Sequence, residues 1–398
     1  MSVARPPLTG IALSEESRQI VELARQFAEE RLAPTAEERD RNEDRFDAEI
    51  HRELGELGFL GMRVPEEYGG LELDLLTYTY VLEELAWGDA GIAVSVSVHN
   101  SLPVSILCTR GTDEQRERWL PDMASGKALA AFSLSEAGAG TDAAALRCQA
   151  TRVDGGWVID GEKMWVTNGA SAELVFLFAR TDTPEDRQGS RGIGAFVVPQ
   201  GAEGFSAGKK ERKMGQRGSE TVALNLDGVR LGDEHLIGEP DRGFAYALEA
   251  LESGRLGIAA QAIGIAAAAL DHAFDYAAER RQFGRPLREF QGMEFKLGEM
   301  AARLEAARGA LERAVHAQMA SDPRRRRLSS TAKLIASEAA MDITREAVQV
   351  FGGYGYSREY PVERLFRDAK VTEIYEGTNE IHRVIAARQL YRERGGET

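Results

Sequence analysis

One carboxylate stands apart in this chain. In "KVTEIYEGTNEIHRV" (370–384), Glu376 sits between Tyr375 and Gly377, and a helical pattern resumes after Thr378 and Asn379. An acid–base group aimed into a cavity and an exposed loop carboxylate would both be written this way. Two further stretches carry groups able to hold a ligand. "SLSEAGAGTD" (133–142) has a Gly-rich turn with hydroxyls at Ser135 and Thr141. It lacks the third glycine and the following helix of a dinucleotide fingerprint. Its backbone N–H groups could form an anion-binding nest, and a plain tight turn reads equally well. In "KMWVTNG" (163–169), Trp165 and Thr167 are two apart and so share one side of a strand. An indole there could stack on a flat cofactor, but a core Trp is the favoured local reading.

Metal chemistry finds little support. Cys108 and Cys148 are the only cysteines, and the six histidines show no ligand spacing. The formal net charge of −15 argues against a generic nucleic-acid binder. The basic run Arg324–Arg327 follows Asp-Pro and precedes a Ser pair, so it reads as a solvated loop between helices. The apolar runs are broken before membrane-spanning length, and the first residues lack the apolar core of a signal peptide. The expectation is a soluble, cytoplasmic protein without nucleic-acid or membrane partners.

The elements that must position these residues change texture twice over 398 residues. Residues 1–128 read as an N-terminal helical domain, with a Ser cap and a terminating Pro around "SEESRQIVELARQFAEERLAP". Residues 129–238 read as a middle antiparallel β domain, whose "TRVDGGWVID" predicts a hairpin at Asp-Gly. Residues 239–398 read as a C-terminal four-helix bundle, opened by one Ala-rich stretch that runs to Gly284. The fold class is therefore mostly α with a central β domain.

Taken together, "FSLSEAGAGTD", "EKMWVTNG", "ERRQFGRPLREFQ", "AVQVFGGYGYSREYPVERLFRDAK" and "IYEGTNEIHR" occur in one order over nearly the whole chain. In this the sequence resembles the acyl-CoA dehydrogenase family of flavoproteins, in its short-chain or butyryl-type branch. The resemblance implies bound FAD, an acyl-CoA substrate, electron transfer to an electron-transferring flavoprotein, and a homotetramer or related dimer. It implies that Glu376 takes the substrate α-proton while the β-hydrogen leaves as hydride to FAD. Gly377 would then let the chain turn closely past a ligand. An apolar, ligand-filled pocket should raise the Glu376 pKa toward neutrality, which suits a general base.

The resemblance carries other roles over by position. Phe132, Leu134, Ser135, Trp165, Val166 and Thr167 match isoalloxazine contacts, and Thr141 matches a position near both pyrophosphate and substrate. Arg280, Gln282, Phe283, Gln291, Gln349 and Gly353 match contacts given to a neighbouring subunit's FAD, and Val350 and Gly352 match cofactor positions. A guanidinium at Arg280 suits a diphosphate, and it equally suits a helix C-terminus. Thr378, Asn379 and Glu380 match FAD positions beside the base. Glu252, Arg255, Tyr375 and Gly377 match substrate positions, with a buried Glu252–Arg255 ion pair as the structural alternative. Some family members carry their base just before the residue matching Arg255; here that position is Gly254, so Glu376 has no rival. Straight short- to medium-chain acyl-CoA is the expected substrate. A branched-chain enzyme and a flavin oxidase or monooxygenase on the same fold are the alternatives, and the pathway, fatty-acid β-oxidation or amino-acid breakdown, stays open.

Overall fold

The computed structural model describes residues 13–42, 46–183 and 189–395, so the reading of the first twelve residues lies outside it. The N-terminal lobe contains α1 (Glu15–Phe27), α2 (Ala36–Arg41), α3 (Ala48–Glu56), α4 (Leu75–Gly88), α5 (Ala90–His99), α6 (Ser105–Arg110) and α7 (Asp113–Ala124). Short polar side chains start most of these helices. Ser14 accepts from the Ser17 N–H, Asp74 caps α4, Asp89 caps α5, and Thr112 with Gln115 forms a capping box at α7. Helices α4 and α5 are buried on nearly every face. Helices apolar all round need neighbours on both sides, and here those neighbours come from far along the chain.

The middle region forms one eight-stranded sheet of β1 (Ala130–Ser133), β2 (Gln149–Val153), β3 (Gly156–Thr167), β4 (Leu174–Arg180), β5 (Ile193–Pro199), β6 (Phe205–Lys210), β7 (Thr221–Gly232) and β8 (Leu236–Ile237). The spatial order is β6-β7-β3-β2-β4-β5-β8, with β1 alongside β4. The expected hairpin is present: Val153 pairs with Gly156 across Asp154-Gly155, and Gly155 takes φ +75° as the tight turn requires. The purely antiparallel reading is corrected. Strand β1 runs parallel to β4 over four residues, and β2 meets β4 in parallel at Gln149. The chain leaves β1 through a long loop and a hairpin before β4 returns in the same direction.

The C-terminal region holds α8 (Gly243–Glu279), α9 (Gln291–Met319), α10 (Arg325–Phe351), α11 (Pro361–Lys370) and α12 (Asn379–Glu393). Three of these are long, at 37, 29 and 27 residues, and α11 adds a helix to the expected four. Helix α8 stops at Glu279, before Gly284, because a short ribbon pairs Arg281–Gln282 with Arg285–Pro286. The basic run is no loop. It opens α10 from Arg325, with Arg326 3.1 Å from Glu252 and Arg327 paired with Glu393 at 2.8 Å.

Helix α8 is the shared element. It packs against α4 and α5, against β5, and against α9, α10 and α11. Its alanines make that possible, since small side chains let several helices approach one axis closely. Against the sequence reading, two stretches among the described residues, Ala90–Arg110 and Gly243–Glu279, are long and apolar enough to cross a membrane, but 89% of each such window is buried inside the fold.

Candidate active site

Between α11 and α12 the chain makes a 3₁₀ turn at Val371–Glu373 and then leaves helical geometry. Glu376 takes φ +51° and Gly377 φ +104°. The left-handed region is natural for glycine but costs a non-glycine residue about 1 kcal/mol or more. Thr378 then caps α12 by accepting from the Ile381 N–H. The buried ammonium of Lys333, on α10, donates to the Gly377 carbonyl at 2.8 Å and to Asn379 Oδ1 at 3.1 Å. Ser337 Oγ donates to the same Asn379 oxygen at 3.1 Å.

Residue 376 is half-buried, yet both carboxylate oxygens are shut off from solvent and neither has a hydrogen-bond partner. Burial pushes the carboxyl up to about 7, and the Arg255 guanidinium and Lys333 ammonium oppose that rise. Arg255, on α8, is 5% exposed, and its Nε and Nη1 are likewise unpartnered. Unsatisfied charged atoms in the interior are costly and rare. Their convergence here marks a place built to receive a polar ligand.

Space for the carboxylate comes from Gly254. A Cβ at that position would lie 2.3 Å from Glu376 Oε2 and 3.1 Å from Leu102 Cδ2. On the other flank, His382 of α12 packs against Gly377, and burial followed by the charges of Lys333 and Arg255 pushes its imidazole down to about 3. It is therefore neutral at physiological pH.

Tyr375 is fixed through its hydroxyl. Its hydroxyl donates to Gln261 Oε1 on α8 and accepts from Gln216 Nε2 at 3.3 Å. Gln261 in turn donates to the Ala90 carbonyl at 2.7 Å, and Gln216, between β6 and β7, is tied to Asp368 of α11. The hydroxyl is thus held by a chain of bonds joining all three regions of the fold. The suggested Glu252–Arg255 ion pair is also absent from the hydrogen bonds: Glu252 is taken up by Arg326 instead.

A second group of the expected residues gathers on the sheet. Trp165 is 60% exposed with φ +62°, which overturns its reading as a core residue. It lies at a register shift between β3 and β7, with Val166 buried and Thr167 half-buried. The adjoining loop is anchored to β3. Lys163, fully buried, donates to the Leu134 carbonyl at 3.1 Å and to Glu136 at 2.9 Å, and the Met164 N–H donates to the Ser135 carbonyl at 2.9 Å. Phe132 packs against Phe178, while Thr141 is exposed. An open indole face beside a rigid loop carrying hydroxyls is a cradle suited to a flat ring system.

A third group lies apart. Arg280, Gln282, Val350, Gly352 and Gly353 line one cleft of about 430 Å³ with Tyr276, Phe351 and Tyr354, and no residue around Glu376 lines it. The Arg280 guanidinium lies over the Tyr354 ring at 5.5 Å. Phe283, at φ +50°, is 94% exposed, and Gln291 and Gln349 are exposed nearby in sequence. Glu380 is exposed, while Asn379 is buried and spent on Lys333 and Ser337.

Several residues of the site went unread in the sequence. Lys333 was visible as the one cation in "STAKLIASEAAM" and Gln261 as the one polar side chain in "IAAQAIGIAAAAL". Gln216 and Leu102 left no signal.

Comparison with known proteins agrees with this fold. Family models for the acyl-CoA dehydrogenase N-terminal, middle and C-terminal domains match residues 14–127, 131–229 and 241–391. An acyl-CoA dehydrogenase of Bacillus subtilis is 43% identical over 383 residues, covering 95% of this chain and 98% of that one. The structure of butyryl-CoA dehydrogenase from Megasphaera elsdenii superposes with a TM-score of 0.93 at 42% identity, covering 96% of this chain and all of that one. A chain in a structure of an electron transferring flavoprotein of Acidaminococcus fermentans superposes equally well, at 41% identity and the same coverage. The chain belongs to the acyl-CoA dehydrogenase family, oxidoreductases that use FAD to dehydrogenate acyl-CoA thioesters.

Proposed function

We propose that this protein oxidises a short- to medium-chain straight acyl-CoA to the trans-2-enoyl-CoA, with Glu376 as the base that removes the α-proton. The observation that carries this is the Glu376 carboxylate, buried without a hydrogen-bond partner beside the equally unpartnered Arg255. FAD, when bound, supplies the acceptor for the β-hydrogen as hydride and passes the electrons on to an electron-transferring flavoprotein. The residues on the sheet fit that cofactor: Trp165, Val166, Thr167, Phe132, Leu134 and Ser135 would hold its ring system, with Thr141 toward the phosphates. Thr378, Asn379 and Glu380 complete the set beside the base.

The chain's own part is alignment and electrostatics. The thioester α-proton is weakly acidic, so the carbonyl oxygen needs donors as enolate-like charge develops. The Glu376 backbone N–H, presented by the left-handed turn, is the proposed protein donor. Arg255 and Glu252 are assigned to the substrate, with Gly377 leaving room for it and the Tyr375 ring at its edge. The cleft at Arg280, Gln282, Phe283, Gln291, Gln349, Val350, Gly352 and Gly353 is assigned to FAD of a neighbouring subunit, which accounts for its separation from Glu376 and supports a homotetramer. Division near residues 128 and 238 and a cytoplasmic, membrane-free setting belong to the same reading.

Anaerobic titration with butyryl-, octanoyl- and isobutyryl-CoA, followed by the visible flavin band, tests it. Bleaching strongest with butyryl- or octanoyl-CoA is expected. Preference for isobutyryl-CoA selects the branched-chain alternative, and rapid peroxide release in air selects an oxidase.

A pH dependence follows from the environment of Glu376. Its carboxyl is raised to about 7, and only the ionised form accepts a proton. The rate of flavin reduction should therefore climb as pH rises through about 7 and fall tenfold per unit well below it. Stopped-flow reduction across pH 5.5–9 measures this. A profile flat down to pH 5.5 would contradict the assignment.

A further inference from the structure

Lys333 has no role in the reading above, yet it is 0% exposed and sits on α10 among small residues. A buried ammonium is costly unless its donors are satisfied and its charge has a purpose. Both acceptors it uses belong to the segment carrying Glu376: the Gly377 carbonyl at 2.8 Å and Asn379 Oδ1 at 3.1 Å. That segment has two consecutive left-handed residues, Glu376 and Gly377.

We infer that Lys333 is a positioning residue for Glu376: its ammonium pins the strained turn through Gly377 and Asn379 and places a positive charge beside the base. The inference rests on Glu376 being that base. The groups facing Glu376 come from four elements besides its own turn. They are Arg255 of α8, Lys333 of α10, His382 of α12 and Tyr78 of α4, with Tyr375 adjacent in the chain. Lys333 itself also faces Glu373, Glu380 and Arg255. Of these, His382 and the tyrosines are neutral near pH 7, so Arg255 and Lys333 are the cations that favour an ionised Glu376. Burial alone would leave the base protonated, and the cations oppose it. Burial also lowers the Lys333 pKa, to about 7, while Glu376 and Lys333 each favour the other's charge.

The test uses the flavin-loaded protein and three variants, Lys333→Met, Lys333→Gln and Glu376→Gln. Anaerobic flavin reduction by butyryl-CoA is followed from pH 5.5 to 9, and amide hydrogen exchange of residues 374–380 is measured without substrate. In Lys333→Met the acidic limb should move up by about one pH unit, making the rate below the limb about tenfold slower. Exchange across 374–380 should quicken. Lys333→Gln keeps an N–H for the Gly377 carbonyl without the charge, so it should show the shifted limb with exchange closer to wild type. It also carries the test if the Met variant does not fold with flavin. A wild-type limb in a folded Lys333 variant overturns the inference whatever the exchange shows. If Glu376→Gln still reduces its flavin, the base assignment itself falls. If that variant is inactive while the Lys333 variants behave as wild type, only the role of Lys333 falls.

Discussion

Glu376→Gln is expected to fold, hold its flavin and bind acyl-CoA, while flavin reduction falls about 10⁴-fold, the upper end of what a general base contributes. Substitution by the neutral isostere leaves the turn at Gly377 and its bonds to Lys333 in place. It removes only the ability to accept the α-proton. The large figure follows from the surroundings. Gly254 offers no side chain, and Glu252, two residues before it, is engaged with Arg326. Neither position supplies a second carboxylate base. Spectral titration with butyryl-CoA separates binding, seen as a perturbed flavin band, from reduction, seen as its loss. A variant that bleaches within tenfold of the wild-type rate would move the base elsewhere.

Gly254→Ala should be nearly as harmful by a different route. The new Cβ would lie 2.3 Å from Glu376 Oε2, so the carboxylate must retreat by about 1 Å to reach an ordinary contact. The clashing atom is the free end of a flexible side chain, so the fold loses little and the melting temperature should stay within a few degrees. The base, however, is displaced, and a misplacement of about 1 Å costs about 10²-fold in rate. The expected signature is a kcat about a hundredfold lower with KM little changed. Gly264→Ala is the contrast on the same helix. Its Cβ would lie 2.3 Å from the backbone carbonyl of Glu83, which cannot swing aside, so that variant should lose stability first. An unchanged kcat in Gly254→Ala would mean that Glu376 works from another position.

Much of this was legible before any coordinates, because it is written in local chemistry. Helix caps, the Asp-Gly hairpin and the three textures of the chain depend on nearby residues. The Gly-marked break at Glu376 was readable for the same reason. What escaped was long-range. Strand β1 runs parallel to β4 because of how the sheet closes, and no local pattern encodes that. Trp165 looked like a core residue because indoles usually are, and only the displaced register of β3 and β7 turns it outward. The basic run at Arg324 looked solvated until Glu252 and Glu393, from distant helices, appeared as its partners. The partners of the Tyr375 hydroxyl, Gln261 and Gln216, lie more than a hundred residues away, so its anchoring could not be read from its neighbours in sequence.

The central position of α8 also bears on how the chain comes into being. Helices α4 and α5 are apolar on almost every face and are covered in large part by α8, which begins about 150 residues after α4 ends. At roughly 5–20 residues per second, a nascent chain carries those helices without their cover for about 10–30 s. The N-terminal lobe is therefore a late-maturing part of the molecule although it is made first. Chains cut short before α8 should aggregate, and slower, cooler synthesis with holdase chaperones should raise the soluble yield of the full-length chain.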